Sequence, residues 1–446
     1  MMNDDRNESR DYVLQTAREH DVKFIRLWFT DILGSLKSTA ITVEELPEAL
    51  EDGVGFDGAS IEGFARVDES DMIAMPDPTT FAILPWRPQE KRVARMFCDI
   101  LQPDGSPFDG DPRYVLRRNL KRAADLGYTF YVGPELEFFY FANADGPGVL
   151  DMGGYFDLTP HDAGTDLRRE TVLTLEEMGI PVETSHHEVA PSQHEIDLRY
   201  SDALTMADNT MTYRLTVKEV ALKNGVYATF MPKPIGDQNG SGMHVHQSLF
   251  KGEQNAFFEA NDAFHLSKVA KGYIAGLLKH APEITVVTNQ WVNSYKRLVP
   301  GYEAPVYLSW ARRNRSDLIR VPEYKPGKEA GTRIEYRAPD PACNPYLAFA
   351  CMLAAGLDGI AKGYEPPSPA EENVFDLSDE EKKRRGIGQL PGSLKEAVEL
   401  AEGSALLREC LGAHLFESLL LNKKIEWSRF REYVTDWETK RYLAIL

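Results

Sequence analysis

Glu135-Leu136-Glu137 lies inside the run Gly133-Pro-Glu-Leu-Glu-Phe-Phe-Tyr-Phe, which reads as a strand over residues 128–140. A strand sends alternate side chains to opposite faces, so both carboxylates point the same way. Two like charges side by side in an aromatic strand repel unless a cation lies between them or water screens them. The pair is therefore either a solvated acidic patch or part of a metal site, and the rest of the chain has to supply one environment or the other.

Three more segments repeat the pattern. His186-His-Glu188-Val-Ala-Pro191-Ser-Gln-His-Glu195 carries two carboxylates seven positions apart. An unbroken strand would throw them to opposite faces, and a turn at Pro191 can return them to one. Gly240-Ser-Gly242-Met-His244-Val-His246 places two imidazoles on one strand face behind a glycine loop where a ligand can approach the backbone. Arg333, Glu335 and Arg337 share a face with alternating sign, for which a surface ladder of ion pairs is the plain alternative. Arg297, Arg312, Arg313, Arg315 and Arg320 precede them, a density that is unusual for decoration on an acidic chain.

Taken together, five glutamates (Glu135, Glu137, Glu188, Glu195, Glu335) and His244 form a mostly oxygen donor set, which suits Mg²⁺ or Mn²⁺ better than zinc. Guanidinium groups fork onto carboxylate or phosphate oxygens. No GxxxxGK[ST] sequence occurs, and the GxGxxG match beginning at Gly53 follows a helical pattern where the dinucleotide fingerprint requires a strand. Divalent metals, arginines and no P-loop point to phosphoryl transfer in a site of another design, with a carboxylate as acceptor.

Composition narrows the context. The chain has 446 residues, 43% hydrophobic and 27% charged, enough for a sizeable core and two to three domains. A formal charge of −19 opposes binding to nucleic acid or an anionic membrane. Cys98, Cys343, Cys351 and Cys410 show no CxxC spacing, which fits a reducing cytoplasm. The N-terminus carries no signal-like segment, and the most apolar stretch, residues 347–357, is too short to span a bilayer.

Along the chain, a helix over 11–20 and strands over 24–30, 36–43, 81–86 and 92–101 suggest a small α+β domain ending near residue 110, where Asp111-Pro112 opens a helix with a cap and a proline at its first position. Beyond it the pattern predicts helices over 166–178, 202–224, 267–280 and 346–362. Strands are expected around 186–200 and those carrying Met231, His244, Ile319 and Ile334. Residues 366–392 read as a surface excursion and 393–446 as helical. The mixture lacks a regular βαβ beat, so antiparallel α+β is expected over a doubly wound parallel sheet.

On these residues the chain resembles the type I glutamine synthetases of bacteria and archaea, α-subtype-like, over essentially its whole length. Phe56-Asp-Gly-Ala-Ser60-Ile-Glu-Gly-Phe64 is similar to that family's N-terminal signature. Lys233-Pro-Ile through Asn239-Gly-Ser-Gly-Met-His244 to Ser248 is similar to its ATP-region signature, and Asn293-Ser-Tyr-Lys-Arg297-Leu-Val-Pro-Gly-Tyr-Glu303-Ala-Pro to its glutamate and flap segment. The resemblance implies a β-grasp domain over 1–110 and a catalytic domain with a curved antiparallel sheet and a C-terminal helical segment over 111–446. The implied reaction is ATP-dependent ligation of ammonia to the γ-carboxylate of L-glutamate through γ-glutamyl phosphate. The alternative within the fold is a glutamate–amine ligase using the same ATP and metal site.

By position, the resemblance gives one metal to Glu137, Glu188 and Glu195 and the other to Glu135, His244 and Glu335. Glutamate goes to Arg297, Arg337, Asn239 and Gly240; ATP goes to Glu183, His246, Ser248, Arg315, Arg320 and Arg333. Asp57 from a neighbouring subunit, with Tyr155, Ser60, Glu188 and the flap residue Glu303, would bind ammonium and take its proton. Asp57, Glu303, Arg315 and Arg337 are the implied catalytic residues, in a cytoplasmic dodecamer of two hexameric rings. Two departures stand out: Ala59 replaces a serine of the usual Asp-Gly-Ser-Ser, and Phe375 aligns with the tyrosine adenylylated in enterobacterial enzymes, so that covalent switch is expected to be absent. Arg66 matches a position tied to feedback inhibition by glutamine.

Overall fold

The computed structural model describes residues 2–64, 71–314 and 316–446, so Arg66 and Arg315 lie outside the described residues. The first sheet is built from β1 (Val22–Thr30), β2 (Leu36–Thr42), β3 (Val54–Asp57), β4 (Asp71–Pro76), β5 (Ala82–Ile83) and β6 (Arg92–Leu101). Its order is β2-β1-β6-β4-β3, with β5 on β6; the β1/β6 pair is parallel and the others antiparallel. With the helix Leu46–Asp52 inserted between β2 and β3, this is the β-grasp arrangement.

Two of these strands, β3 and β4, are not legible in the hydropathy pattern, being short and largely half-exposed. Conversely, the strand expected over 81–86 shrinks to Ala82–Ile83, because Pro85 has no N–H for the ladder. Helix Pro112–Asp125 opens as expected: the Asp111 side chain accepts the Arg113 amide at 2.9 Å, with Pro112 in the first turn. Arg113 then fastens this helix to the first sheet, its guanidinium reaching Asp77 at 2.8 Å and Asp208 of helix Ala203–Lys223 at 2.9 Å.

The second sheet holds β7 (Thr129–Phe141), β8 (Val182–His187), β9 (Gln193–Leu198), β10 (Ser201–Asp202), β11 (Tyr227–Thr229), β12 (Met243–Lys251), β13 (Gln254–Asn255), β14 (Tyr307–Ala311), β15 (Asp317–Arg320) and β16 (Ile334–Tyr336). Its order is β14-β15-β16-β12-β7-β9-β8, with β10 and β11 also on β7 and β13 on β12. Every pairing is antiparallel except β14/β15. Met231 falls beyond β11, which ends at Thr229, and Pro232 has no N–H with which to extend the ladder.

Strand β7 shows how the core and the opposite face are divided. Phe130, Val132, Leu136, Phe138 and Tyr140 are buried on one face, where the Tyr213 hydroxyl donates to the Leu136 carbonyl at 3.2 Å; Glu135 and Glu137 occupy the other. Helices Lys268–Thr288 and Pro345–Lys362 cross behind the sheet at near-contact distance. The predicted helix 267–280 therefore runs further, to Thr288, continuing through Pro282. Residues 366–392 are less of an excursion than expected, since Ala370 and Val374 bury against Val306 and Tyr307, and the Phe375 ring meets Tyr307 edge-on at 5.7 Å. All four cysteines are buried free thiols, and among the described residues no helix is long and apolar enough to cross a membrane.

The helix crossing makes a direct prediction. A Cβ at Gly359 would overlap the Gly272 carbonyl oxygen, and one at Gly276 would overlap that of Ala355. Gly359→Ala should lower stability by about 1–3 kcal/mol through overpacking. Thermal melts check this, and an unchanged Tm would contradict the close approach.

Candidate active site

Strand register brings the charged residues together. Glu137 lies opposite Glu195, and Glu135 lies opposite Asp197 on one side and His244 on the other. His246 faces Gly133 and Glu335, and Arg320 faces Glu335. Directly opposed residues share a face, so β9, β7, β12, β16 and β15 deliver their polar groups to one surface. The hairpin between β8 and β9 turns at Pro191-Ser192, with Ser192 at φ 62°, and returns Glu188 to the side of Glu195.

Two groups of side chains could each hold an ion. In one, His244 Nδ1 lies 3.5 Å from Glu135 Oε2 and 3.5 Å from Glu335 Oε1. In the other, His186 Nε2 is 3.2 Å from Glu195 Oε1 and its Nδ1 is 3.6 Å from Glu188 Oε1. Glu137 stands beside the second group, its Oε2 accepting from Gln193 Nε2 at 3.0 Å and the Gly242 amide at 2.9 Å. A cavity of about 470 Å³ opens over both and is lined also by Tyr155, Asn239, Gly240, Arg297, Glu303, Arg320 and Arg337.

A second cavity of about 450 Å³ adjoins it and shares Glu135 and Asp197. It contains Glu183, His246, Ser248 and Arg333, with Tyr131 and Tyr200. Arg333 Nε donates to His246 Nδ1 at 3.1 Å, so the other ring nitrogen carries the proton toward Glu135 Oε1 at 2.7 Å.

This sheet of converging carboxylates coincides with the family models. Residues 109–442 match the glutamine synthetase catalytic domain, and residues 21–103 match the glutamine synthetase beta-grasp domain. The chain belongs to the glutamine synthetase family. It is 55% identical to the glutamine synthetase of Mycolicibacterium smegmatis over 98% of this chain and 100% of that one. It is also 54% identical to that of Methanosarcina mazei, over 98% of each chain. Among solved structures, a GmaS–ADP complex superposes with a TM-score of 0.88 at 31% identity, covering 97% of this chain and 99% of the other. A Plasmodium falciparum glutamine synthetase superposes with a TM-score of 0.87 at 26% identity, covering 98% of each.

Electrostatics test whether the donors suit the divalent metals this family needs. Burial works to raise the Glu135 carboxyl, but hydrogen bonds from His244 and His246 hold it well below the usual range. Burial likewise opposes Glu335, and the Arg337 charge, with smaller contributions from His246 and His244, brings it to about 2. The other side of the cavity is unbalanced. Burial, then the neighbouring Asp197, Glu137 and Glu188, push Glu195 far up; burial raises Glu137; and burial with the Glu135 charge lifts Asp197 to about 6. Crowded buried carboxylates that resist ionising alone are the donor set a hard dication satisfies.

The arginines are held before any ligand arrives. Arg337 Nη1 donates to Glu335 Oε1 at 2.8 Å, Arg320 Nε donates to the other oxygen of Glu335, and Arg297 donates to the Ala338 carbonyl at 2.7 Å and the Arg337 carbonyl at 3.1 Å. Gly240 and Gly242 are required here, since a Cβ at Gly242 would reach Arg297 Nη2 at 2.6 Å and one at Gly240 would overlap the Pro232 carbonyl oxygen. Glu303 adopts φ 54°, and its carboxylate accepts from Asn239 Nδ2 at 3.4 Å.

Asp57 and Ser60 line neither cavity of their own chain. Asp57 is exposed and caps the Ala59 amide at 2.9 Å; Ala59 is buried, and Ser60 Oγ is buried without a hydrogen-bond partner among the described residues. Sequence reasoning did not assign Asp197, His186 or Gln193 to the site. Asp197 had a readable signal, standing two residues from Glu195 with the same parity as Glu135 and Glu137. His186 had none, because its role depends on the hairpin geometry.

The division into two cavities predicts separable effects. On the nucleotide-binding role that the resemblance gives Arg333, Arg333→Ala should weaken ADP binding about tenfold, ~1.4 kcal/mol, with little change in the KM for glutamate. Calorimetric ADP titration beside steady-state kinetics checks it, and equal losses for both ligands would contradict the partition.

Proposed function

We propose that this protein joins ammonia to the γ-carboxylate of L-glutamate at the expense of ATP, giving glutamine, ADP and phosphate. The observation carrying this reading is the acidic floor of the larger cavity, ringed by Arg297, Arg320 and Arg337 and continuous with a second cavity through Glu135 and Asp197. Relatives that share more than half their residues with this chain and are named glutamine synthetase favour ammonium over a larger amine.

On this reading Glu137, Glu188 and Glu195 hold one Mg²⁺ or Mn²⁺, and Glu135, His244 and Glu335 hold the other. Bound there, the cations neutralise phosphate oxygens and polarise the γ-phosphoryl group of ATP. Glu183, His246, Ser248 and Arg333 bind the nucleotide in the second cavity, with the Tyr131 and Tyr200 rings as apolar walls. Arg320 faces the phosphates, a role the family resemblance also gives Arg315, and Arg297, Arg337, Asn239 and Gly240 hold glutamate. Its side-chain carboxylate attacks the terminal phosphorus, and Arg337 stabilises the charge that moves. The product, γ-glutamyl phosphate, is a mixed anhydride that water destroys, which gives the Glu303 segment its purpose as a flap.

Ammonium has no lone pair and must lose a proton before it attacks. Tyr155, Glu188 and Glu303 supply a negative pocket, completed by Asp57 and Ser60 of a neighbouring subunit. That arrangement accounts for Asp57 being exposed and remote from the cavities of its own chain, and it calls for a ring assembly, with a dodecamer of two hexamers as the proposed form. The working division is 1–110 for the segment lent to the neighbour and 111–446 for catalysis, in the cytoplasm.

Phosphate release from ATP and glutamate with ammonium, putrescine, spermine or ethanolamine tests the reaction. Ammonium alone should support turnover, and activity confined to polyamines would overturn it. Asp57→Asn should leave ADP affinity intact and slow glutamine formation about 100-fold, within the range for a lost general base; unchanged turnover removes Asp57 from the mechanism.

A further inference from the structure

Beneath the floor of the larger cavity lies a second set of charged groups that the reaction does not use: Asp151, Asp162, His187, His194 and Arg168. The two aspartates and two histidines are close enough to share an ion. Their bonding argues against one. Arg168 Nη2 pairs with Asp162 Oδ2 at 2.6 Å, and its Nη1 donates to His194 Nδ1 at 2.7 Å, so the guanidinium already serves as the cation and leaves the proton of His194 on Nε2. His187 Nδ1 lies 2.7 Å from the Glu188 carbonyl oxygen and Nε2 lies 3.0 Å from Asp151 Oδ1. Both ring nitrogens face oxygen acceptors, so the imidazole donates from both and Asp151 balances its charge. Two anions meet two cations, and no charge is left for a metal to neutralise.

Asp151 also binds backbone from two separate segments. Its Oδ1 accepts the Ser192 amide at 2.9 Å and its Oδ2 accepts the Ala163 amide at 2.9 Å. Ser192 Oγ returns the contact by accepting the Leu150 amide at 2.6 Å, and the Phe156 amide donates to the His187 carbonyl at 3.1 Å. The loop 150–164 is thus tied to the β8–β9 hairpin by polar contacts centred on one buried carboxylate. The loop's own large side chains give it little hydrophobic anchorage, since Met152, Phe156 and Leu158 are exposed. That loop carries Tyr155, and the hairpin carries His186, Glu188 and Glu195.

We propose that Asp151 is a positioning residue that, through Ser192, His187 and the Ala163 amide, fixes the Tyr155 loop against the Glu188–Glu195 hairpin and so sets the geometry of the amine pocket. The inference rests on the function proposed above, because it assigns Tyr155 and Glu188 to one pocket. It predicts an effect on the amine and glutamate sites but not on the nucleotide cavity, which this network does not border. A residue needed only for stability would reduce the active fraction and leave every KM in place.

The full-length assembled enzyme should be compared with Asp151→Asn, Ser192→Ala and Asp162→Asn. Asp151→Asn should raise the KM for ammonium about tenfold, the scale expected of a small misplacement of binding groups, while ADP affinity stays constant. Peptides covering 150–164 should exchange amide hydrogens about tenfold faster, with helix Pro112–Asp125 unaffected. Ser192→Ala should move both readouts in the same direction by about threefold and decides the matter should Asp151→Asn fail to assemble. Asp162→Asn, which weakens the Arg168, Gly164 and Thr165 contacts but leaves every bond of Asp151 in place, should lower Tm without changing the KM for ammonium. Asp151→Asn or Ser192→Ala variants that shift Tm alone, as Asp162→Asn does, would overturn the positioning role. Wild-type enzyme inactive with ammonium would instead overturn the function.

Discussion

Mutual repulsion among buried carboxylates is the constraint around which this molecule is organised. Glu135, Glu137, Glu188, Glu195 and Asp197 come from three segments, and strand register forces them onto one face with Glu335 nearby. The Glu135 and Glu335 side is compensated by two imidazoles and two arginines, whereas the Glu195 side is not. Such a surface is stable in its ionised form only with added positive charge. The hydrophobic side of the same sheet provides the rigidity that holds the groups together against that repulsion: Phe130, Leu136 and Phe138 bury against helices while their odd-numbered neighbours carry the acids.

From this asymmetry the rest of the site follows physically. On the proposed reading, cations held on the acidic floor would bring a polyanionic nucleotide to a chain whose net charge of −19 otherwise repels it. The arginines are held in advance by Glu335 and by backbone carbonyls, so the phosphoryl transfer proposed for this site would require little reorganisation of them. The network of Asp151, His187 and Arg168 lies under the same floor, and its balanced charges contrast with the uncompensated ones above it. One set of buried charges gives structure and the other demands a ligand.

Much of this was legible in the sequence because period-two alternation carries directional information. The same-face placement of Glu135 with Glu137, of His244 with His246, and of Glu335 with its arginine neighbours could be read from spacing alone, and the proline turn at 191 correctly suggested that Glu188 and Glu195 meet. The α+β class was likewise visible in long amphipathic helices mixed with strands. What was hidden depends on three-dimensional context. β3 and β4 are too short and exposed to show a pattern, and Pro85 and Pro232 cut two expected strands short. Asp151 sits in a loop where no periodicity applies, so its contacts with Ser192 and Ala163 left no sequence trace.

The central claim is that the two acid clusters are separate sites for divalent cations on one sheet. Electron paramagnetic resonance titration of the metal-free enzyme with Mn²⁺ tests it most directly. The account predicts at least two Mn²⁺ per chain in the wild type, with Glu335→Gln losing one and keeping the one beside Glu188 and Glu195. Wild-type protein that takes up neither Mn²⁺ nor competing Mg²⁺ at saturating concentration would contradict it.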